Sequence, residues 1–186
     1  MKRNALTLVL VLSLVMALLL SACGEKTPAG ENGGAASYES LSEEDAINLI
    51  QSAYDEIGAE NLPMMMMNMP LDLTDMDGVG YHTGLTSVEG IDGIIISESG
   101  VGSIAYSLVY LRVAEGADTE AIRSAIADSI NPAKWICVQA DTVKTVTLGT
   151  DVVLVMGESA MVDTVMSTLL AKAEGSFSAI GEPVTK

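Results

Sequence analysis

The sequence predicts an α+β domain: an antiparallel sheet of about four strands with helices packed on one face, preceded by an N-terminal amphipathic helix. Two observations carry the sheet. Residues 91–113 and 141–156 each read as a pair of apolar, β-branched strands joined by a turn, and each pair is followed by a helical pattern. A third observation carries the leading helix, where Ile47, Ile50, Tyr54 and Ile57 recur at three- and four-residue steps. The matching of the two strand-strand-helix units hints at duplication, without a residue-level repeat.

The chain opens with a basic tip, Lys2 and Arg3, an apolar segment over residues 5–20, and the step Leu20-Ser21-Ala22-Cys23. That order reads as a secretory signal ending in a lipobox. Cleavage before a cysteine needs a branched aliphatic residue three positions upstream and small residues between, and Leu20, Ser21 and Ala22 meet those needs. Residues 1–22 are therefore expected to be removed. Cys23 would become the lipid-modified first residue, its thiol carrying a diacylglycerol, and no other cofactor is expected. The competing reading, a single spanning helix, needs about 18 apolar residues and gives no reason for a small-small-Cys step followed by Gly24 and a polar tract. Each buried methylene of an acyl chain adds about 0.8 kcal/mol, so acylation of one residue anchors without a spanning helix. The expected location is the outer face of the cell membrane of a Gram-positive cell.

Composition narrows the partners. Of nine basic residues, Lys2 and Arg3 leave with the leader, so seven face 25 acidic ones, a formal charge of −18. Nucleic acid is excluded as a partner, and anionic lipid heads would repel the surface, leaving the acyl chains as the holding force. Once Cys23 is acylated only Cys137 remains, so no internal disulfide is expected and stability must come from an aliphatic core.

Residues 23–40 hold almost no bulky hydrophobe and read as the lipidated cysteine and a flexible tether. The single domain spans 41–175. Ser42, followed by Glu43, Glu44 and Asp45, caps the first helix, and Gly58 stops it. Residues 62–85 form an irregular piece rich in Met, Pro and Asp. Residues 94–96 make a buried strand, 98–103 a glycine-containing turn without the lysine of a phosphate loop, and 104–113 the second strand. Glu115 to Asp118 cap a helix with apolar positions at Ala121, Ile122, Ala125, Ile126 and Ile130, ended by Asn131-Pro132. Residues 141–148 alternate as a half-exposed strand, and 152–156 are continuously apolar. Ser159 caps the last helix, ended by Gly175, and residues 176–186 are a loose polar tail.

Candidate chemistry concentrates in the irregular piece. Met64, Met65, Met66, Met67 and Met69 offer soft thioethers suited to Cu(I), with Met67 and Met69 on one face of an extended segment; the plainer reading is adaptable apolar filling. No His or Cys lies among them. Asp72, Asp75, Asp77 and Gly78 fail as an EF-hand calcium loop, because taking Gly78 as the sixth position puts Leu73 at the first and Gly84 at the twelfth; these aspartates read as caps and turns, with a looser carboxylate site as the lesser alternative. His82, the only histidine, reads as a loop or surface residue. Cys137, in the apolar run 135–138, reads as a buried small hydrophobe beside Lys134.

The layout resembles a domain-of-unknown-function family of short lipoproteins from clostridia and other Firmicutes. The resemblance covers about residues 91–174. It rests on the strand 107–113 feeding Gly116-Ala117-Asp118 and its helix, on the strand-turn-strand 143–155, and on the closing helix near Ser159. It implies location and fold and adds no chemistry. With no recognisable nucleophile-base spacing, the expected role is a membrane-anchored, non-catalytic binding or interaction module for an unidentified protein or small ligand. The alternative is copper handling by the methionine cluster.

Overall fold

The computed structural model describes residues 38–186, in which Ser42 caps helix α1 (Glu43–Ile57) by accepting from Asp45 N at 3.1 Å. Its buried stripe is Ala46, Leu49, Ile50, Ala53 and Tyr54, and Gly58 ends it. A short 3-10 turn (Ala59–Asn61) leads to strand β1 (Met66–Pro70). Helix α2 (Met76–Thr83) follows, capped by Asp75, whose side chain accepts from Gly78 N. Strands β2 (Ile91–Ser99) and β3 (Ser107–Val113) precede helix α3 (Thr119–Ser129), which Asp118 caps by accepting from Ala121 N. Strands β4 (Thr142–Leu148) and β5 (Asp151–Gly157), helix α4 (Ser159–Ala173) and strand β6 (Val184–Thr185) complete the chain.

The class is α+β with an antiparallel sheet, as the pattern predicts, but the sheet has six strands among the described residues, in the order β1-β2-β3-β5-β4-β6. The two expected hairpins, β2–β3 and β4–β5, lie side by side through β3 and β5. The extra strands are edges. Methionine-rich β1 pairs with β2, and Val184 and Thr185 pair with Thr145 and Lys144 of β4. The C-terminal segment is thus not a loose tail: Phe177 is buried and Ile180 bridges to Leu148.

Helices cover both faces of the sheet, which corrects the one-face arrangement. Alternate side chains of the central strands explain why. Leu108, Tyr110, Val153 and Val155 pack with α1 and α4, while Val109, Leu111, Val152, Leu154 and Met156 pack with Val79 of α2, with Ile126 of α3 and with Ile130 just after it. A strand whose two faces are both covered must be apolar throughout, and β5 is buried along its whole length. On the first face Tyr54 meets Ser97 and Tyr106, each at 2.8 Å, so the three buried hydroxyls satisfy one another. Burial, only partly offset by these bonds, pushes the Tyr54 phenol up to about 12.

Three local expectations also change. Ser159 is the first residue of α4 rather than its cap, and its hydroxyl meets that of Thr142 at 2.6 Å. The run 135–138 is a loop, because Cys137 takes a left-handed φ of 65° that no strand accommodates, and Cys137 is exposed rather than buried. Ordered structure also begins before residue 41. Leu41 N and the Tyr110 hydroxyl donate to Asp151 Oδ2 at 3.0 and 2.8 Å, Val113 N donates to Oδ1 at 3.1 Å, and Thr150 N donates to Glu39 O at 2.9 Å. Arg112 Nε donates to Leu41 O at 2.7 Å. This staple fixes where the chain enters the domain. Burial pushes the Asp151 carboxyl above its ordinary range, against the pull of those hydrogen bonds.

Candidate functional site at one end of the sheet

The leader 1–22 with Leu20, Ser21 and Ala22, the lipidation candidate Cys23, and the tether to residue 37 lie outside the described residues. No helix among the described residues is long and apolar enough to cross a membrane.

The polar chemistry of the domain gathers at the end of the sheet opposite the Asp151 staple. Glu98, near the end of β2, stands across from Ser107 of β3, and Ser107 from Met156 of β5. Cross-strand partners share a face. That face is the one bearing Ile94 and Ile96, whereas Ser97 turns the other way to Tyr54. Helix α2 crosses this face, fixed by Val79 beneath it and by Thr83, whose hydroxyl donates to Val79 O and accepts from Leu85 N. Its last turn delivers His82. The loop after α3 delivers Lys134.

Three donors converge on one oxygen, Glu98 Oε1: His82 Nδ1 at 3.1 Å, Ser107 Oγ at 2.7 Å and Lys134 Nζ at 2.5 Å. Lys134 Nζ also donates to Ser107 Oγ at 3.3 Å. The lysine side chain is only 1% exposed, the glutamate 13% and the histidine 19%, so the pair is screened little by water. Burial works against both charges. At Glu98 the hydrogen bond from His82, the Lys134 charge and the bonds from Lys134 and Ser107 together outweigh it, and the carboxyl falls to about 2. At Lys134 burial outweighs the Glu98 carboxylate, and the ammonium is held below its usual range. Lys134 Nζ also lies 5.3 Å from the ring centroids of Tyr81 and Trp135, and the Tyr81 ring meets His82 edge-on at 4.9 Å.

What this set can do follows from what is already committed. Ser107 is fully buried and gives its proton to Glu98, so its oxygen is not presented to a substrate. The ionised Glu98 accepts only, so His82 must carry a proton on Nδ1, and its Nε2 is not used by this bond. His82 is therefore a fixed helix residue, not a loop or surface one.

The methionines divide by face. Met66 packs towards the α1 side of the sheet, while Met67 and Met69 lie on the other face, opposite Glu98 and Ile96. Met64, Met65, Met67 and Met69 are all exposed, at 68%, 67%, 42% and 41%. The five cannot share one site. A groove of about 360 Å³ on the opposite face is lined by Tyr54, Leu62, Met64 and Met66. Sequence spacing hid the pairing of Met67 with Glu98, the centre of the His82 cluster; the signal was an isolated Glu98 near the end of an apolar strand. Asp72 closes a turn by accepting from Thr74 N and Oγ1, and Asp75 caps α2 by accepting from Gly78 N. Among the described residues no group of three His, Cys, Asp or Glu side chains is placed to hold a metal ion.

Comparison with protein-family models, with curated proteins and with solved structures finds no match to this chain.

Proposed function

We propose that the chain is a membrane-anchored extracytoplasmic lipoprotein whose folded domain is a non-catalytic binding module for a protein or small ligand. The observation that carries the binding role is the group of exposed apolar side chains, Met67, Met69 and Tyr81, beside a polar cluster whose groups are already bonded to one another. Large apolar side chains kept in water along one margin mark a surface that meets something. The buried, committed Ser107 supports a role without a nucleophile. The anchor rests on Leu20, Ser21, Ala22 and Cys23, and the resemblance to short clostridial lipoproteins points the same way.

Cell fractionation tests the anchor. Cys23→Ser is expected to move the protein from the membrane to the soluble fraction with an unchanged circular dichroism spectrum. Membrane association that survives the substitution would sink this reading.

Copper handling is the second reading, and one observation favours it. Met67 and Met69 lie on the face of the sheet that carries His82.

A further inference from the structure

We propose that Met67, Met69 and His82 Nε2 form a Cu(I) site on the outer margin of β1 and β2. The proposal rests on the copper-handling reading and names the residues that would hold the ion, a soft monovalent metal.

Placement comes first. Met67 and Met69 are two apart on an edge strand, so their side chains leave the same face about 6.6 Å apart. Each ends in a thioether on three rotatable bonds, and both are about two-fifths exposed, so neither is committed to the core. Met67 is the direct cross-strand partner of Glu98, which puts their Cβ atoms about 5 Å apart. Its terminal methyl lies beside Gly100, where an added Cβ would sit 3.5 Å away, so the Met67 side chain runs past Glu98 towards Gly100 and meets Met69 only by turning about its rotatable bonds. His82 is hydrogen-bonded to that same glutamate.

Chemistry comes second. Two thioethers and one imidazole are soft or borderline donors that suit Cu(I), and a site without carboxylate ligands discriminates against calcium, magnesium and manganese. A metal-binding imidazole commonly gives its other ring N–H to a carboxylate, which fixes the tautomer and aims the free nitrogen. His82 Nδ1 with Glu98 Oε1 supplies that arrangement in advance. Glu98 is then a positioning residue rather than a ligand. Lys134 neutralises most of its charge, so the site selects by softness more than by charge. Met66, on the opposite face, and Met64, beyond the end of the strand, take no part.

Competition of the full chain against a chromophoric Cu(I) chelator under reducing conditions decides it, in a Cys23→Ser, Cys137→Ser background that removes both thiols. One equivalent of Cu(I) is expected. Met67→Leu with Met69→Leu should weaken binding at least a hundredfold, His82→Gln at least tenfold, and Glu98→Gln by about tenfold through the lost orientation. Met64→Leu with Met66→Leu should leave affinity unchanged. Leu keeps the apolar volume of Met, and a circular dichroism melt establishes that each variant is folded. As a second readout, Ag(I) should shift the methyl resonances of Met67 and Met69 and the ring resonances of His82. Absence of stoichiometric binding, or equal losses in the Met64/Met66 variant, overturns the site. Either result leaves the membrane anchor to stand or fall on its own fractionation test.

Discussion

Ser107 donates a 2.7 Å hydrogen bond to Glu98, its own cross-strand partner, and the same carboxylate oxygen receives Lys134 from a loop 36 residues away. Two adjacent strands and a loop are thereby tied at one atom. Glu98→Gln should destabilise the fold by about 3 kcal/mol, because it leaves the Lys134 ammonium buried without its counter-charge. Adding Lys134→Met should recover more than half of that loss, since an apolar side chain of similar length fills the same space. Urea unfolding of the two variants and the parent checks the cycle. Equal stabilities for parent and Glu98→Gln would show the pair to be energetically idle.

The Tyr54 hydroxyl predicts an alkaline limit. Its pKa, about 12 in the fold, lies above the ordinary 10 expected in the unfolded chain. A group raised in this way contributes stability that is complete below pH 10 and is lost as the pH rises from about 10 to about 12. Tyr54→Phe should lower stability at pH 7 by about 1 kcal/mol, by stripping a partner from Ser97 and Tyr106, and should flatten the fall above pH 10. Thermal melts of both proteins across pH 7 to 11.5 measure the two effects together; parallel curves would contradict the assignment.

Two glycines, one inside a short helix and one just after it, predict opposite signs. Gly84, after α2, has φ of 76°, and a Cβ there would lie 2.1 Å from Ser129 O, against the end of α3. Gly84→Ala should destabilise by about 2–4 kcal/mol, combining left-handed strain with a backbone clash. Gly80, inside α2, would place its Cβ 3.7 Å from Leu85 O, an ordinary contact. Gly80→Ala should stabilise by about 0.5–1 kcal/mol. Denaturant midpoints decide both.

Much of the frame was legible because it is periodic. The capping of α1 by Ser42 and of α3 by Asp118, and both hairpins, follow from short-range patterns. The unbroken apolar run of β5 also held the information that both faces are covered, which the one-face expectation passed over. The edges were harder. Strand β6 is joined through backbone groups that any composition supplies, so Val184 and Thr185 carried no distinguishing signal. At residues 135–138 hydrophobicity suggested burial, yet one left-handed residue, Cys137, turns the segment outward and leaves Ile136 79% exposed. The site was least legible. His82, Glu98, Ser107 and Lys134 stand far apart in sequence and meet only because α2 and the loop after α3 cross the same end of the sheet.

The Asp151 staple also sets a load path. A pull on the chain ahead of Tyr38 is taken up first by Thr150, Asp151 and Arg112, through the backbone of residues 39–41. Along β5 the run from Asp151 to Met156, opposite Ser107, spans about 17 Å. Tension entering at one end of the central strands is therefore borne by the crossbars there and spread across the sheet, leaving Met67, His82 and Glu98 at the slack end.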